Sequence, residues 1–484
     1  MNSRASTIRR TTLGGLLATL LALVCVPCRA ASAAGSRAAS SWTTELMRVL
    51  LLRDYNTRMV VLATALLGFA AGVTGCFLLL RKRSLMGDAL SHATLPGIGI
   101  AFIAMATLGG TGKWVPGLLL GALATGVLGM LLILAIRRWT MLQDDTALGI
   151  VLSVFFGCGI AVLGFIQNMP QGSAAGLESF IYGKPASIVK QDFVLIAATA
   201  VVAVVACVAL FKEFSILCFD ADFAATQGWP VTALDIAILT LVTLVTVVGL
   251  QAVGLMLVIA MLIIPAAAAR FWTDKLSRMA VISPLIGAAS GWLGSSFSAL
   301  YPNWPAGAVI VVAGALFFVV SMVFGPKRGI VDRAVERVSL SRKVQYQHML
   351  RTVYELLEGG TGEPPEVVEQ RSVPLDRLVG ARSWSSRRLR HLLRRARRRG
   401  DVSALDETVA FTAAGAKRAA AVVRNHRLWE VYLLAHADVA PSHVDRGADR
   451  VEHILGPELV NELEQSVERE PGMPALPPSP HPLH

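Results

Sequence analysis

The segment Leu85-Met86-Gly87-Asp88-Ala89-Leu90-Ser91-His92-Ala93-Thr94-Leu95-Pro96-Gly97 places a carboxylate and an imidazole four residues apart in an apolar stretch. An i, i+4 spacing brings Asp88 and His92 to one face of a helix. Within a membrane span such a pair is costly unless it faces a cavity or binds a ligand. One oxygen donor and one nitrogen donor suit Mn(II), Fe(II) or Zn(II) better than Ca(II). The pair is therefore a candidate metal site.

A second interpretation of the pair requires no ligand. Asp88 would lie at the membrane interface with its carboxylate in water, and His92 would hydrogen-bond to a backbone carbonyl. The spacing alone is compatible with both interpretations.

The composition is that of a polytopic, all-α membrane protein. Of the 484 residues, 54% are hydrophobic and 16% are charged, and the mean hydropathy is +0.57. These values exclude an ordinary soluble domain. Nine apolar segments are long enough to span a bilayer. They lie near residues 59–80, 89–108, 114–136, 147–167, 192–212, 234–251, 253–270, 281–300 and 305–324.

Basic residues predict the direction of these spans. They follow every odd-numbered span, as Arg81-Lys82-Arg83, Arg137-Arg138, Lys212, Arg270 with Lys275, and Lys327-Arg328. Because positively charged loops stay in the cytoplasm, the odd-numbered exits and the C-terminus are predicted to be cytoplasmic. The semi-apolar stretch 168–190 is then external and is a candidate re-entrant helix.

Residues 1–40 have the pattern of a signal peptide. Arg9-Arg10 precede an apolar run from Leu13 to Val26, and Ala31-Ser32-Ala33 fits a signal-peptidase site. An uncleaved signal anchor is the alternative. Between the fifth and sixth spans, residues 219–229 predict a compact amphipathic helix that ends at Gly228. That helix is either a docking element for a soluble partner or a solvated connector.

The segment 81–97 resembles the signature of the zinc, manganese and iron permeases of bacterial ABC importers. The block 248–270 and the helix at 219–228 resemble the same family, in which that helix meets the ATPase subunit. The resemblance covers about residues 45–325 and implies that Asp88 and His92 coordinate the transported metal. The residues that it assigns to ATPase coupling are Asp220, Asp222, Phe223, Ala224, Gln227 and Gly228.

The same resemblance implies the partners. The permease would work in the bacterial inner membrane as a homodimer, or as a heterodimer with a related permease, and would receive metal from an extracytoplasmic binding protein. The stretch Gly109-Gly110-Thr111-Gly112-Lys113 lacks the spacing of a Walker A motif and its Ser or Thr. ATP hydrolysis is therefore expected from a separate subunit, and the chain is not predicted to be an enzyme.

After Pro326 the sequence becomes polar and basic. Helices are predicted at 340–358, 375–378 and 387–399, and a two-stranded wing at 402–412, which is the layout of a winged helix-turn-helix over 340–412. Nine arginines and no acid lie between Arg382 and Arg399. Clustered arginines neutralise phosphates and read guanine edges, so duplex DNA is a predicted partner. The predicted contacts are Ser385, Ser386, Arg387, Arg388, Arg390, Arg394 and Arg395. The alternative is a basic face on anionic lipid.

The segment from Phe411 to Glu430, with the acids and histidine that follow it, resembles the metal-binding and dimerisation helices of the diphtheria-toxin-repressor and manganese-transport-regulator family. The likeness covers about residues 340–465, with these helices at 413–465. It implies a regulatory divalent transition metal held by His426, Asp449, Glu452 and His453, with Glu430 and Asp445 at ancillary positions.

The chain departs from that family at two places. Asp449 stands where relatives have Glu or Cys, which keeps a hard donor and disfavours a thiolate-selecting site. In the first helix, where manganese members carry two acids, this chain has His348 and Arg351. For Glu452-His453 a solvated helix face is the alternative. Residues 471–484 are proline-rich and predicted to be disordered.

Together these features predict a permease for Mn, Fe or Zn fused to a cytoplasmic metal-dependent regulator. A membrane-tethered transcription regulator is the rival hypothesis, but nine spans and an intramembrane Asp/His pair exceed what an anchor needs. A tail that gates transport without binding DNA is a third hypothesis.

The predicted topology can be tested by labelling with a membrane-impermeant thiol reagent. A cysteine placed at Ser173 should react from outside intact cells, whereas one at Ser372 should react only after permeabilisation, because basic loops hold the odd exits inside. The parent chain controls for its native cysteines. The opposite pattern would mean that the bundle is inverted.

Overall fold

The architecture was analysed on a computed structural model. It describes residues 54–81, 83, 85–108, 114–169, 188–301, 304–359, 364–381, 384–405 and 407–436. The chain divides into two compact units, Met1–Asp332 and Arg333–His484. The first is an all-helical membrane unit, and the second is a mixed unit with a small sheet.

The described part of the membrane unit consists of helices, in agreement with the predicted fold class. They are α1 (Tyr55–Leu80), α2 (Met86–Ala93), α3 (Leu95–Thr107), α4 (Val115–Trp139), α5 (Asp144–Gln167), α6 (Lys190–Ala209), α7 (Phe211–Phe219), α8 (Ala221–Thr226), α9 (Val231–Val253), α10 (Leu255–Arg270), α11 (Leu276–Leu300) and α12 (Ala306–Phe324). Taking α2 and α3 as one segment, eight of the described helical segments are long and apolar enough to cross a membrane.

The seventh predicted span differs from the others in length. Its helix α10 has 16 residues, which corresponds to about 24 Å, whereas the hydrocarbon core of a bilayer is about 30 Å thick. Gly254 separates α10 from α9 with a φ of 84°, a backbone conformation that glycine adopts readily. The predicted apolar segment is therefore helical, but a turn at Gly254 separates it from α9, and its helix is shorter than the bilayer core.

The second predicted span is interrupted at the candidate metal site. Pro96 has no N–H, so the regular helical hydrogen bond to the carbonyl of His92, four residues earlier, cannot form. The chain accordingly ends α2 at Ala93 and begins α3 at Leu95. The proline thus determines where the helix that carries Asp88 and His92 ends.

Helices α1 and α11 pack backbone against backbone. A Cβ atom on Gly68 would lie 2.3 Å from the carbonyl oxygen of Gly287, and one on Gly287 would lie 2.1 Å from the oxygen of Gly68. The hydroxyl of Ser283 donates to the carbonyl of Gly72 over 2.7 Å. Small residues at helix contacts allow this close approach inside a membrane, where no hydrophobic drive brings helices together.

One apolar core joins most of the membrane helices. It contains buried side chains from α1, α2, α4, α9 and α10, among them Leu67, Leu90, Met130, Val242 and Leu262. Helix α2 is therefore held from several sides, which fixes the backbone that carries Asp88 and His92.

The C-terminal unit has five helices and three strands among its described residues. The helices are α13 (Ile330–Glu358), which begins just before the boundary, α14 (Pro365–Val368), α15 (Leu375–Ala381), α16 (Ser386–Arg398) and α17 (Ala413–His436). The strands are β1 (Ser372–Pro374), β2 (Val402–Leu405) and β3 (Thr408–Phe411).

The predicted two-stranded wing is part of a three-stranded antiparallel sheet in the order β1-β3-β2. The hairpin pairs Val402 with Phe411, and β1 pairs Val373 with Val409 on the other edge of β3. The additional strand was missed because three residues ending in a proline give too short an alternation to indicate a strand.

Several predicted segments lie outside the described residues. They are the signal segment 1–40, most of the external stretch 168–190, the proline-rich end 471–484 and the ligand positions Asp445, Asp449, Glu452 and His453.

The contact between α1 and α11 predicts a sharp difference between glycines. Gly68→Ala should lower the free energy of unfolding by about 1–3 kcal/mol, because the added methyl group meets backbone atoms that cannot move aside. Gly157→Ala in α5, where a Cβ meets nothing within 4 Å, is the matched control and should leave stability unchanged. Thermal unfolding in detergent measures both, and equal midpoints for the two variants would contradict the packing.

Candidate metal site

Asp88 and His92 face each other on α2, as their spacing predicts. The Nε2 atom of His92 lies 3.4 Å from the Oδ1 atom of Asp88, and the side chains are 18% and 35% exposed, respectively. Helix α2 begins with Met86 directly after a turn closed by the bond from the Met86 N–H to the Arg83 carbonyl. The pair is therefore partly open although the helix around it is packed.

The separation of these two atoms suits a shared ion. Transition-metal bonds to imidazole nitrogen and carboxylate oxygen are about 2.0–2.2 Å long, so donors this far apart subtend roughly the tetrahedral angle at an ion between them. The same distance is long for a strong charge-assisted hydrogen bond, which is closer to about 2.8 Å. The distance is therefore compatible with an ion shared by the two side chains and is long for a direct ion pair.

The His92 ring has one unpaired nitrogen and one aromatic neighbour among the described residues. Its Nδ1 atom is buried and has no hydrogen-bond partner among the described residues, which is costly for a polar atom. The ring packs edge-on against Phe156 of α5, with centroids 4.9 Å apart. The interpretation in which His92 is satisfied by a backbone carbonyl is not what the described residues show.

One chain brings two donors to this site. Within the described ranges, no group of three or more His, Cys, Asp or Glu side chains is arranged to hold a metal ion. Tetrahedral and octahedral sites need four and six ligands. A metal ion at Asp88 and His92 would therefore need further ligands beyond the side chains that the described residues bring together.

The predicted amphipathic helix is present as α8. The carboxylate of its N-cap Asp220 accepts a hydrogen bond from the Phe223 N–H at 2.9 Å. The helix ends at Thr226. Two residues later, Gly228 has a φ of 81°, the left-handed conformation common after a helix C-terminus. Side chains Asp222, Phe223 and Gln227 are exposed.

The predicted coupling residues are therefore not equivalent. Phe223 is 53% exposed, whereas Ala224 is 1% exposed and belongs to the buried core. Ala224 thus anchors α8 to the rest of the permease. Phe223 is the large apolar side chain that α8 exposes, beside the polar Asp222 and Gln227.

In the C-terminal unit, His426 and Glu430 also meet at i, i+4 spacing on α17. The His426 Nε2 atom lies 2.9 Å from a Glu430 oxygen, and both side chains are 1% exposed. The His426 Nδ1 atom lies 2.9 Å from Nη1 of Arg351 on α13. Arg351 also pairs with Glu355, its Nε lying 2.7 Å from the carboxylate.

The contacts of His426 fix the roles of its two ring nitrogens. A guanidinium only donates, so Nδ1 is the acceptor and Nε2 carries the proton that goes to Glu430. Both ring nitrogens are then engaged by side chains of the same unit, so a metal at His426, as the sequence predicts, would have to replace one of these contacts. Arg351 stands in α13 where manganese-dependent relatives are expected to carry an acid. The side chain at this position is therefore a cation that contacts His426.

A second buried ion pair, between Arg427 and Glu358, also joins α17 to α13. Arg427 donates two hydrogen bonds to Glu358, over 3.0 and 2.7 Å, and both side chains are at most 1% exposed. A bidentate pair of this kind fixes orientation as well as charge. It holds α17 against the C-terminal end of α13.

Helix α16 buries its apolar side chains and exposes most of its arginines. The hydroxyl of Ser385 caps its N-terminus by accepting from the Arg388 N–H. Leu389, Leu392, Leu393 and Ala396 form its buried face. The exposed side chains include Ser386, Arg387, Arg388, Arg390, Arg394, Arg397 and Arg398.

Two of the predicted DNA contacts, Arg388 and Arg395, are held by side chains of α13. The Arg388 Nε donates to the Gln345 side chain over 3.1 Å. The guanidinium of Arg395 lies 5.7 Å from the centre of the Tyr346 ring, and that of Arg399 lies 4.8 Å from it, within range of cation–π attraction. The Arg390 Nε donates to the Ser386 carbonyl of its own helix over 3.2 Å. Arg387, Arg390 and Arg394 are the predicted arginine contacts that are exposed and not held to α13 in this way.

Sequence analysis overlooked Tyr346 and Asp401. The Tyr346 hydroxyl donates to the fully buried carboxylate of Asp401, which also pairs with Arg418 of α17. Burial and the hydrogen bond to Asp401 raise the pKa of Tyr346 to about 12, so the phenol keeps its proton and remains the donor. The network ties α13, α16 and α17 together at the base of the hairpin.

Comparison with known proteins decides the family. Residues 53–325 match the model of the ABC 3 transport family. The chain belongs to this family. Its member MntC of Bacillus subtilis, described as a manganese transport system membrane protein, is 41% identical over 309 residues, which cover 64% of this chain and 70% of that one. TroC of Treponema pallidum, described as a zinc transport system membrane protein, is 42% identical over 61% of this chain and 97% of its own length.

A solved structure and a second family model extend the comparison. The structure of PsaBC from Streptococcus pneumoniae in complex with Fab matches with 32% identity and a TM-score of 0.50, covering 57% of this chain and 95% of that one. Residues 412–471 match the iron dependent repressor, metal binding and dimerisation domain. A probable metal transport system membrane protein of Chlamydia trachomatis is 28% identical over 84% of this chain and 92% of its own.

These matches confirm the membrane family and the repressor-like C-terminal domain expected from the sequence. The chain is a membrane permease of a metal ABC transport family. Since the Chlamydia relative aligns over 424 residues, more than the membrane match alone, the alignment extends into the C-terminal region.

Proposed function

We propose that this chain is the membrane subunit of an importer for a divalent transition metal, with Asp88 and His92 as its transport site. The observation that carries the proposal is the 3.4 Å approach of an imidazole nitrogen and a carboxylate oxygen on a packed membrane helix. One nitrogen and one hard oxygen suit Mn(II), Fe(II) or Zn(II). The manganese and zinc in the names of the relatives agree with this class.

The transport site is proposed to be completed by a dimer. One chain supplies two donors, and a second copy, or a related permease, related by two-fold symmetry would supply two more. Four donors satisfy a tetrahedral ion. An extracytoplasmic binding protein would deliver the metal from the opposite side to the ATPase.

Helix α8 is the proposed docking element for a separate ATPase subunit. Its exposed Phe223 ring provides an apolar contact of the kind enriched at protein interfaces, and its capped, short helix keeps that ring in place. The basic residues that follow the odd-numbered spans support a cytoplasmic position for α8 and for the C-terminal unit, in a chain proposed to lie in the bacterial inner membrane.

The transport site is tested by substitution in the assembled importer. Asp88→Ala and His92→Ala should each lower Mn(II), Fe(II) or Zn(II) uptake into proteoliposomes at least tenfold, because each removes half of the donors that one chain offers. Asp145→Ala, which removes an exposed carboxylate from the first turn of α5, is the control and should transport normally. Wild-type uptake by the Asp88→Ala/His92→Ala double variant would refute the site.

For the C-terminal unit, we propose a cytoplasmic domain that binds duplex DNA through α16. Three outward arginines on a helix whose apolar face is buried present positive charge at fixed positions. The hairpin β2–β3 follows the helix as a wing would. Because Arg351 engages His426, a response to metal depends on the predicted ligands outside the described residues.

DNA binding is tested with the full chain in nanodiscs of neutral lipid. Replacing Arg387, Arg390 and Arg394 together by alanine should raise the Kd for duplex DNA at least tenfold. The slope of log K against log salt concentration should become shallower by about 2–3, because about one unit of slope is lost with each phosphate contact. A matched control removes the same charge from α13 by replacing the exposed Arg333, Arg337 and Arg342 with alanine.

Unchanged DNA affinity in the α16 variant, or equal losses in both variants, would contradict the recognition role. Repeating the titration with Mn(II) and with a chelator separates DNA binding from its regulation. If the wild-type chain binds vesicles of anionic lipid and no DNA, the lipid interpretation of the arginines is the correct one.

A further inference from the structure

Two arginines and one aspartate form a buried ionic cluster beside the membrane helices. The Nη2 atom of Arg81 lies 2.9 Å from both carboxylate oxygens of Asp235. The Nη2 atom of Arg83 lies 3.2 Å from Asp235 Oδ2. The Arg81 Nη1 atom donates to the Leu217 carbonyl over 2.9 Å. One carboxylate and one backbone oxygen thus hold two guanidinium groups.

The cluster lies deep for charged groups. The side chains of Arg83, Asp235 and Arg81 are 7%, 10% and 14% exposed. Leu78, Met86, Phe214, Leu217, Leu234 and Ile238, close to them in sequence, all belong to the apolar core. Breaking such a pair is strongly unfavourable because it leaves an uncompensated buried charge, although the intact pair adds little net stability. The cluster therefore acts as a rigid connection.

The cluster joins segments that flank the two elements used in transport. Leu217 belongs to the last turn of α7, which leads directly into Asp220 at the start of α8. Asp235 lies in the second turn of α9, the first helix after α8. The proposed docking helix is thus held on both of its sides by atoms that Arg81 binds.

On the other side of the cluster is the helix of the transport site. Arg83 lies five residues before Asp88. Its N–H donates to the Leu78 carbonyl over 3.2 Å, and its carbonyl accepts from the Met86 N–H over 2.9 Å. The backbone of Arg83 therefore forms the turn from which α2 starts, while its side chain is bound to α9.

We propose that Arg81, Arg83 and Asp235 transmit movement of α8 to α2, so that a displacement of the docking helix changes the position of Asp88 and His92. The three are positioning residues, and the inference rests on the proposed roles of α8 and of the transport site. Directional bonds between groups that cannot exchange partners with water resist sliding, whereas the apolar contacts around them do not. A displacement at α8 thus reaches the start of α2 through the contacts of Leu217 with Arg81, of Arg81 with Asp235 and of Asp235 with Arg83.

The experiment uses the full permease with its ATPase and binding protein in proteoliposomes, and measures Mn(II) uptake and ATP hydrolysis in parallel. Asp235→Asn keeps the shape of the side chain and removes its charge. We expect the amount of metal transported per ATP to fall at least fivefold. Equilibrium binding of Mn(II) to the same complex should stay within twofold of wild type, because Asp88 and His92 are untouched.

A matched variant controls for the loss of an Asp–Arg pair as such. Asp274 pairs with Arg328 at 3.0 Å in the same unit, but both side chains are about half exposed, at 52% and 42%. Asp274→Asn should transport the wild-type amount of metal per ATP, since exposed ion pairs contribute little.

A second variant covers the case in which Asp235→Asn does not assemble. Arg81→Lys retains the positive charge but lacks the planar fork that reaches Leu217 and Asp235 together. It should lower metal transported per ATP at least twofold with an unchanged thermal midpoint.

Either of two results would overturn the proposal. One is an unchanged ratio of metal to ATP in the assembled variants. The other is a proportional loss of uptake, hydrolysis and Mn(II) binding, which would make the cluster a folding anchor. If instead Asp88→Ala leaves Mn(II) binding and uptake intact, the proposed transport site fails, independently of these ratios.

Discussion

Asp235 lies in the apolar interior of the membrane unit with two guanidinium groups on its single carboxylate. A charge in such surroundings must be paired, and every pairing fixes two segments of chain relative to each other. Here the paired segments are the ends of α1 and α7 and the start of α9. The turn into α2 and the segments on both sides of α8 meet at that arrangement.

The two histidine–carboxylate pairs of this chain share one spacing and differ in everything around it. Asp88 and His92 are partly exposed, and the second ring nitrogen of His92 has no partner among the described residues. His426 and Glu430 are buried, and Arg351 occupies the second nitrogen of His426. The Asp88/His92 pair is partly exposed and contacts no cationic side chain in the described part of the chain, whereas the His426/Glu430 pair is buried and contacts the guanidinium of Arg351.

A similar division exists within the arginine-rich helix α16. Arg395 and Arg399 lie over the ring of Tyr346, and Arg388 binds Gln345. These side chains hold the helix against α13, so they are part of the domain's packing. Arg387, Arg390 and Arg394 are exposed on the helix whose position the others set. The number of arginines in a helix is therefore a poor measure of the charge that it offers to DNA.

The sequence by itself determined the membrane class, the position of nearly every span, the capped helix α8 and the arginine helix with its hairpin. These depend on hydropathy and on local capping and turn residues, which act over a few residues. Tertiary structure decided what the patterns could not: that α10 is short, that β1 joins the sheet, that Ala224 is buried and that Arg351 binds His426. Each of these depends on a partner far away in the chain, and residue spacing carries no information about which distant side chain will fill a given space.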